Sequence, residues 1–600
     1  MGGKESGERS VAADPIVATP GPLPPAWQEQ LTSCVVDENV GLPDAALLTF
    51  RDPDHELLTA TGISIGSPLT VSVATTSSQA PKRLFTGEVT GLELDTDGTG
   101  SFTVVRAMSK AHRLMRGRKV TAFRNMTAAA IVRKVATGAG LRAGRIQAKP
   151  ITYTQISQAN VSDWEFLQNL AQEHGVTVRV DEKGRLDFAS LKPAASAPSP
   201  STPATKSPFV LEYGRNLMAL RAALTAVDQV DKVEVRGWNV TTKRPLIAEE
   251  NATKSTTVRP GLTAAEATGK FGKGARMRVT DTPYGTQAEA TAAARALAAS
   301  MSAGLGEIEA VAEGNPELRA GVPITLGNVG PKFSGRFTAT AVHHVLEPGN
   351  GYRTTVLVST SPDRSLTGLV TGANAPDRGP RIPGLATGIV TDIKEAGGAQ
   401  RGWVKLKFPW LDDTYVTDWV RTVQLGGQGG GGVFSPDVND EVLVGFEQGC
   451  LDRPYVLGGL YNGRDNPSPH DLPLVDRTTG KVNRRSLVSR KGHRLELIDS
   501  TTKTPGIRLT SGNKRLDIRM DEKRRTIDIT VSAVGGRRAL SSVSLTDRGI
   551  TLDAGTGDIT LTGKSVSIDA KTSVSINGRT NVGIDGGAIA TLRGRMVHIN

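Results

Sequence analysis

Cysteine, aromatic residues and long hydrophobic runs are all scarce in this chain of 600 residues. Its two cysteines, Cys34 and Cys450, are too few for a disulfide framework or a thiolate metal cluster, and they suit a reducing compartment. Aromatic residues make up only 4% of the chain, which disfavours large aromatic-lined ligand cavities. No stretch approaches the roughly 18 apolar residues of a membrane span. The N-terminus lacks an apolar signal segment, so we expect synthesis and folding in the cytoplasm.

Acidic residues are outnumbered as well: 72 Lys and Arg against 60 Asp and Glu give a net charge of +12. Most of this excess lies in residues 464–600, where 24 basic residues minus 14 acidic residues gives +10. Two basic runs there are Lys523–Arg525 and Gly535–Arg538. Such runs contact nucleic acid or anionic lipid head groups in some proteins and only confer solubility in others, and the sequence leaves these alternatives open.

Apolar and polar residues alternate with the period of a β-strand through most of the first 361 residues. Pro- and Ser-rich stretches, which bury little, interrupt this pattern and set the predicted boundaries. We therefore predict a mainly β, multidomain chain. Its predicted segments are a flexible arm at 1–30, β-rich blocks at 31–191 and 209–361 around a Pro/Ser loop at 192–208, a linker at 362–384, a five-stranded unit at 385–463, a linker at 464–492 and a β region at 493–600.

Three helices are predicted inside the two β-rich blocks. Thr127 precedes an apolar-periodic stretch that ends at glycines, and it suits an N-cap. Ser162 and Glu165 have the spacing of a capping box ahead of a second amphipathic stretch. The Ala-rich stretch 287–303 has strong intrinsic helix propensity and is predicted as the third helix.

A short repeat occupies the end of the chain. Pairs of apolar residues step by eight from Val566 to Leu592, and Gly578, Gly586 and Gly594 keep the same period. Each octad thus provides a short strand with two side chains on one face, followed by a corner of Gly, Asn or Asp. The predicted inward-facing residues are Ile559, Leu561, Val566, Ile568, Val574, Ile576, Val582, Ile584 and Leu592.

One chain cannot bury this repeat by itself. A single-chain solenoid needs roughly 18–24 residues per coil. The six octads from Ile550 onward comprise about 48 residues and would form only two coils, fewer than the three repeats usually needed for stability. Three chains wound about one axis would bury the apolar pairs, with each octad forming one side of a triangular layer. We therefore expect a homotrimeric β-helical shaft, and the alternative is a meander packed on the rest of the protein.

Three stretches resemble one protein family. Residues 419–463, from WVRTVQLGG to VLGGLYNG, resemble the OB-fold core of VgrG-type spike proteins of type VI secretion and related contractile injection systems. NVSDWEFLQNLAQEHG at 160–175 resembles the hub domain that this family shares with the tails of contractile phages. GHRLELIDS at 492–500, followed by the octads, resembles the β-prism of the spike. The resemblance extends over 31–600 in the same domain order.

This resemblance implies a fold and a mechanical function. The implied fold has a tail-hub-like domain of two β-barrels over 31–361, an OB-fold domain at 385–463 and a trimeric β-helix or β-prism needle at 493–600. The implied function is that of a homotrimeric spike that seats the inner tube and pierces the target envelope when the sheath contracts. Assembly is expected in the cytoplasm, within a phage-tail-like particle, before outward delivery.

The same resemblance implies a set of partners. These are two further copies of the chain, the inner tube protein, baseplate proteins, effector cargo and, transiently, the target membrane. A PAAR-type tip protein is expected to contact the end of the needle, at Met596, Val597, His598, Ile599 and Asn600.

No enzyme activity and no cofactor are predicted. The segment Gly62–Gly66 matches a nucleophile elbow, but Ser64 lies in a predicted strand instead of at a strand-to-helix turn. Only 30 residues separate Asn462 from His493, too few for the lysozyme domain of phage relatives. His598 is a weak candidate metal ligand, because three copies would meet at the axis of a trimer.

An alternative function is the binding of nucleic acid or polysaccharide by the OB-fold domain and the basic region. Single-stranded nucleic acid is commonly bound by aromatic side chains that stack on bases, and such platforms are sparse here. The large aromatic residues of the predicted domain are expected mainly in the barrel core or at positions of the family motif; they are Trp403, Phe408, Trp410 and Trp419. The glycine run 426–432 is predicted as a barrel loop, because strand residues and not a helix follow it.

Overall fold

The computed structural model of the protein describes residues 13–75, 78–272, 274–347, 351–359, 381–500 and 503–599. The chain forms two compact units, residues 1–460 and residues 461–600. The division between them falls close to the predicted end of the five-stranded unit at residue 463. The linker predicted at 362–384 lies largely outside the described residues.

The first unit begins with six strands and two short helices. They are β1 (Ala13–Ala18), α1 (Pro25–Gln28), β2 (Leu31–Asn39), β3 (Ala45–Arg51), α2 (Leu57–Thr61), β4 (Pro68–Thr75), β5 (Ser78–Asp97) and β6 (Gly100–Met108). Because β1 pairs antiparallel with β4, regular structure begins before the predicted start at Leu31. The strand predicted around Ser64 is wrong. Ser64 lies between α2 and β4, where Gly62 and Gly66 have φ values of 70° and 92° that extended strands do not adopt.

A helix-containing segment follows, built on the predicted caps. Its elements are a 3-10 helix (Lys110–Met115), β7 (Lys119–Thr127), α3 (Ala128–Gly138), β8 (Arg142–Ile146), β9 (Thr152–Val161), α4 (Asp163–His174), β10 (Thr177–Val180) and β11 (Arg185–Ala189). Thr127 accepts a hydrogen bond from the backbone N–H of Ala130 at 3.3 Å, and Ser162 and Glu165 form the predicted capping box. Both predicted helices are confirmed, and their apolar faces share one buried cluster.

The third segment of this unit returns to strands. Its elements are two 3-10 helices (Ala194–Ser196 and Ala204–Lys206), β12 (Val210–Glu212), β13 (Leu217–Leu224), β14 (Lys232–Asn239), β15 (Arg244–Asn251), β16 (Val258–Pro260), α5 (Ala264–Thr268), a 3-10 helix (Gly269–Phe271), β17 (Arg276–Val279), α6 (Gln287–Ala303), β18 (Gly306–Glu313), β19 (Pro323–Gly327), β20 (Gly335–Thr338), β21 (Ala341–Glu347) and β22 (Gly351–Val358). The helix predicted at 287–303 is confirmed with the same bounds.

One antiparallel sheet of ten strands joins the two predicted β-rich blocks. Its strand order is β1-β4-β5-β6-β3-β2-β21-β22-β18-β13, so β2 from the first block pairs with β21 from the second. The remaining strands of this segment form smaller sheets of two to four strands. The closure of each block into its own barrel stays a prediction.

A buried carboxylate links β2 to later parts of the chain. Glu38 on β2 is 1% exposed and pairs with the guanidinium groups of Arg179 and Arg319. Asp44, which is nearby, lies 3.7 Å from Arg179. Burial raises the pKa of Asp44 to about 6, although the Arg179 charge opposes that shift. These ion pairs hold together residues that are far apart in sequence. The buried carboxylate of Glu38 is thus paired, which offsets the cost of its burial.

The first unit ends in the predicted five-stranded domain. Its elements are β23 (Leu385–Asp392), a 3-10 helix (Ala396–Gly398), β24 (Lys405–Lys407), β25 (Arg421–Thr422), β26 (Glu441–Phe446), a 3-10 helix (Glu447–Gly449) and β27 (Pro454–Gly459), with the sheet order β24-β23-β26-β27-β25. Phe408 lies at the centre of its core, within 6.0 Å of the rings of Tyr415 and Phe446. The predicted number of strands is confirmed.

Polar contacts attach this domain to β9 of the same unit. The backbone N–H of Ser157 donates to a carboxylate oxygen of Asp452 at 2.9 Å, and the Ser157 hydroxyl donates to the other oxygen. The hydroxyl of Tyr415 lies 3.0 Å from that of Ser157 and accepts from Gln155 at 3.1 Å. Sequence reasoning missed this joint, because its partners are more than 250 residues apart.

The second unit contains one antiparallel sheet. Its strands are β28 (Arg484–Val488), β29 (Arg494–Ile498), β30 (Gly506–Thr510), β31 (Leu516–Asp521), β32 (Thr526–Ser532), β33 (Ala539–Thr546) and β34 (Gly549–Asp553), and each pairs only with its neighbours in sequence. The sheet therefore begins inside the predicted linker at 464–492. Within the described residues of the whole chain, no helix is both long and apolar enough to cross a bilayer.

Candidate assembly surface of the C-terminal unit

The sheet of the second unit has one apolar face and one polar face, because its strands alternate apolar and polar residues. The strand registers align the apolar residues into two rows across the sheet. We call these rows the apolar rows. The first contains Leu487, Leu495, Leu509, Ile518, Ile529, Val543 and Leu552, and the second contains Leu497, Ile507, Met520, Ile527, Leu545 and Ile550.

The apolar rows are exposed in the single chain. Ile518 and Ile527, in the middle of the sheet, are each 39% exposed, and Leu552 at its end is 52% exposed. Globular proteins rarely leave a continuous apolar surface of this extent facing water, and such surfaces mark interaction sites. The rows thus form a candidate assembly surface.

The opposite face is polar, and its charges are paired within the sheet. Arg508 donates to Asp517 at 2.6 Å on the neighbouring strand, and Ser544 donates to Asp528 at 2.6 Å. Cross-strand pairs of this kind stabilise a sheet whose polar side faces water. The polar face needs no further partner, whereas the apolar face does.

Glu496 is the buried centre of the polar face near the start of the sheet. Its carboxylate is 1% exposed and lies 3.1 Å from His470, 3.6 Å from Arg494 and 3.9 Å from Arg484. Burial raises the pKa of Glu496, but the hydrogen bond from Ser486 and the charges of His470 and Arg494 outweigh burial. The pKa of Glu496 therefore lies below its ordinary value.

All nine predicted inward-facing residues of the octads are exposed, and the described residues 554–599 contain no helix or strand. The exposed fractions range from 48% for Val582 to 71% for Ile584. In full, these residues are Ile559, Leu561, Val566, Ile568, Val574, Ile576, Val582, Ile584 and Leu592. The predicted β-helix thus stays a prediction, and its apolar side chains continue the exposed surface of the apolar rows along the chain.

Two octad glycines form tight corners. A Cβ atom on Gly578 would lie 2.2 Å from the carbonyl oxygen of Asn581, and one on Gly586 would lie 2.4 Å from that of Ile589. In both cases the contacted carbonyl oxygen belongs to the residue three positions after the glycine. The two turns, which are eight residues apart, therefore have similar geometry. Any larger residue at either position would have to move the backbone.

The predicted tip residues are also exposed: Met596 is 75% exposed, Val597 47% and Ile599 89%, and His598 is exposed as well. Asn600 lies outside the described residues. Among the described residues, no three His, Cys, Asp or Glu side chains are grouped as metal ligands, and the candidate role of His598 stays a prediction. The tip contacts stay a prediction.

Of the aromatic residues expected mainly in the barrel core of the five-stranded domain, Phe408 is buried, whereas Trp410 is 47% exposed and Trp403 and Trp419 are half-buried. The Arg401 guanidinium lies 3.8 Å from the ring centroid of Trp403, and the Lys405 ammonium lies 4.7 Å from that of Trp419. Each ring therefore already has a cation of its own chain over one face. This arrangement leaves less ring surface for a stacked base, and the nucleic-acid alternative stays a prediction.

Comparison with protein families gives two matches. Residues 386–461 match the type VI secretion system/phage-baseplate injector OB domain, and residues 65–347 match the Alg8 N-terminal domain.

Two curated relatives come from Pseudomonas aeruginosa. The chain is 40% identical over 103 residues to the type VI secretion system spike protein VgrG5, a match that covers 16% of this chain and 13% of that protein. It is 31% identical over 114 residues to VgrG1a, which covers 18% of each chain. The matches thus span less than a fifth of the length of these relatives.

Solved structures of low sequence identity are also similar. A chain in the structure of the Francisella PdpA–VgrG complex is 10% identical, with 90% of this chain and 87% of that chain covered and a TM-score of 0.46. The c3393 protein of Escherichia coli, a type VI secretion component, is 15% identical, with 72% and 97% covered and a TM-score of 0.43. The family and curated matches confirm the predicted resemblance to VgrG-type spike proteins, and they confirm the OB-fold domain.

Proposed function

We propose that this chain, given its similarity to VgrG-type spike proteins, is the structural spike of a contractile injection system and works as a homotrimer. Three copies bring their apolar rows together around one axis. The octads after residue 554 continue this shaft as a β-helical needle. Sheath contraction supplies the energy, and the needle transmits force to its tip and pierces the target envelope.

The observation that carries this proposal is the pair of apolar rows. Thirteen apolar side chains lie on one face of a seven-stranded sheet, with the polar face already satisfied. Full burial of such a side chain stabilises a protein by roughly 1.5–3 kcal/mol. Because these side chains are roughly half exposed in the single chain, their burial on association stabilises the trimer by about 1 kcal/mol per side chain, before the entropic cost of association is subtracted.

The octads require the same partner arrangement. Their apolar pairs have no strand partner in the described chain, and an isolated strand has unpaired backbone N–H and C=O groups. In a three-chain helix, each short strand pairs with strands of the two other copies. The corners at Gly578 and Gly586 then recur once per octad and turn the chain into the next layer.

The finer assignments follow from the similarity to VgrG-type spike proteins and are part of the same proposal. Residues 31–361 act as the hub that seats the inner tube, and baseplate proteins hold its flank. The needle end from Met596 to Asn600 receives a PAAR-type tip protein, and effector cargo travels on the assembled spike. Assembly takes place in the cytoplasm before outward delivery. The chain itself catalyses no reaction, and its role is mechanical.

The first test of this proposal is the mass of the purified full chain in solution, measured by light scattering and by native mass spectrometry. The expected result is three times the chain mass of 63.2 kDa, independent of concentration in the micromolar range. Negative-stain electron microscopy should then show a globular head with a thin shaft. A monodisperse particle of one chain at every concentration would refute the proposal.

A further inference from the structure

The turns at the two ends of the strands of the C-terminal sheet differ in net charge. Because β28 to β34 pair in sequence order and are antiparallel, successive turns lie at opposite ends of the strands, which we call the two turn edges of the sheet. The turns 489–493, 511–515 and 533–538 share one edge, and 499–505, 522–525 and 547–548 share the other. We call the first three turns the basic turn row.

The basic turn row is a continuous surface, because its turns contact one another. The backbone N–H of Gly512 donates to the imidazole of His493 at 3.2 Å, and a Cβ on Gly512 would lie 1.8 Å from the carbonyl oxygen of Lys491. A Cβ on Gly536 would lie 2.7 Å from the carbonyl oxygen of Lys514. Turns on alternate strands are spaced by about 10 Å, twice the distance between neighbouring strands.

Each turn of the row contributes two basic residues and no acidic residue. The six residues are Arg490, Lys491, Lys514, Arg515, Arg537 and Arg538, and all are exposed. Four of them, Lys491, Lys514, Arg537 and Arg538, form no ion pair with any described residue. Their charges are thus available to an external anion.

The opposite edge differs in this respect. Its turns also carry basic residues, but Asp499, Glu522 and Asp547 accompany them. Arg485 pairs with Asp499, and Arg525 lies 3.8 Å from Asp547. The basic runs Lys523–Arg525 and Gly535–Arg538, which look equivalent in the sequence, therefore lie at opposite edges. The turns of the opposite edge carry five basic and three acidic residues, a net charge of +2, whereas the basic turn row carries six basic and no acidic residues, a net charge of +6.

We propose that the basic turn row is a binding surface for anionic lipid head groups. Clusters of four to eight Lys and Arg residues bind anionic membrane surfaces, and each cation near the surface increases the affinity roughly fivefold. The three turns contain no Phe, Tyr or Trp side chain on which a nucleic-acid base would stack, which favours lipid over single-stranded nucleic acid. Val534, between the glycines and the strand, is 84% exposed and adds an apolar contact with the interface.

The row lies within one chain, so the inference does not depend on the trimer. It goes beyond the mechanical role by giving the shaft a chemical preference for the surface that it contacts. In the proposed trimer, the row would occur three times and contact would be multivalent.

Vesicle flotation with the full chain tests this inference. The vesicles contain equal amounts of phosphatidylglycerol and phosphatidylcholine, and vesicles of phosphatidylcholine alone serve as the neutral reference. One variant combines Lys491→Gln, Lys514→Gln, Arg537→Gln and Arg538→Gln. The matched control removes the same charge from the opposite edge, with Lys523→Gln, Arg524→Gln, Arg525→Gln and Arg548→Gln. Circular dichroism and solution mass establish that both variants fold and assemble like the unchanged chain.

We expect the unchanged chain to bind the anionic vesicles, to lose binding as salt rises, and to ignore the neutral vesicles. The row variant should bind at least about tenfold more weakly, while the opposite-edge variant should change by less than about threefold. Equal losses in both variants, or no binding of the unchanged chain, would overturn the inference. Tighter binding of a single-stranded oligonucleotide that the row variant loses would overturn the choice of lipid. A monomeric but lipid-binding chain would contradict only the trimer.

Discussion

Replacing Ile518 with aspartate tests the contact at the centre of the proposed trimer. Ile518 lies in the first apolar row and is 39% exposed in the single chain. Losing the remaining apolar burial removes about 1 kcal/mol per chain. Each new carboxylate would also be buried without a partner, which costs several kcal/mol per ion, so the trimer as a whole loses about 10 kcal/mol or more.

The assay is sedimentation velocity of the full chain at several concentrations, with circular dichroism to follow the sheet. We expect Ile518→Asp to sediment as a single chain that keeps its strand signal, because an aspartate at a half-exposed position of one chain stays hydrated. Thr551→Asp is the matched control. It adds the same charge to the polar face, where the side chain is exposed, and should leave the mass unchanged.

The reasoning fails if Ile518→Asp remains a trimer of unchanged stability toward urea. That result would mean that the apolar rows do not meet in the assembly. If Ile518→Asp loses the strand signal, the variant has unfolded and its mass does not report on the interface. Ile518→Ser, which adds no charge, then tests whether the chains dissociate while the sheet stays folded.

Three further perturbations address the needle, the joint and the pH response. Ile576→Asp in the full chain should make residues 554–599 sensitive to trypsin while the head stays intact, and unchanged resistance would contradict a shared needle core. Asp452→Ala should destabilise the first unit by about 2 kcal/mol in urea unfolding and speed amide exchange at Ser157, because hydrogen bonds to a charged group are lost. Because the pKa of Glu496 is lowered in the folded chain, its stabilising contribution is present above pH ~4.5 and is lost as the pH falls through the folded pKa. In Glu496→Gln, the free energy of unfolding should therefore decrease less steeply than in the unchanged chain as the pH falls below ~4.5. The same pH dependence in both chains would contradict this role of Glu496.

The sequence predicted the features that depend on neighbouring residues. The caps at Thr127 and Ser162 and the helix at 287–303 follow from local hydrogen bonding and propensity, and the structure has them at the predicted places. Local rules succeeded here because the atoms that make these contacts are within a few residues of one another.

Other features were decided only by the tertiary structure. The pairing of β2 with β21 joins residues about 300 positions apart, and the contact of Ser157 with Asp452 spans a similar distance. β28 was not predicted because its five residues lie in a stretch otherwise typical of a linker. No periodicity encodes such contacts, because they depend on which distant surfaces become neighbours.

The basic turns illustrate the same division. That residues 464–600 are basic, with 24 Lys and Arg against 14 Asp and Glu, follows from the amino-acid sequence alone. Which turns share an edge depends on the number and direction of the strands between them, and an additional strand would have exchanged the edges. Charge composition is therefore a property of the sequence, whereas the difference in net charge between the two edges, +6 against +2, arises only when the strands pair in order.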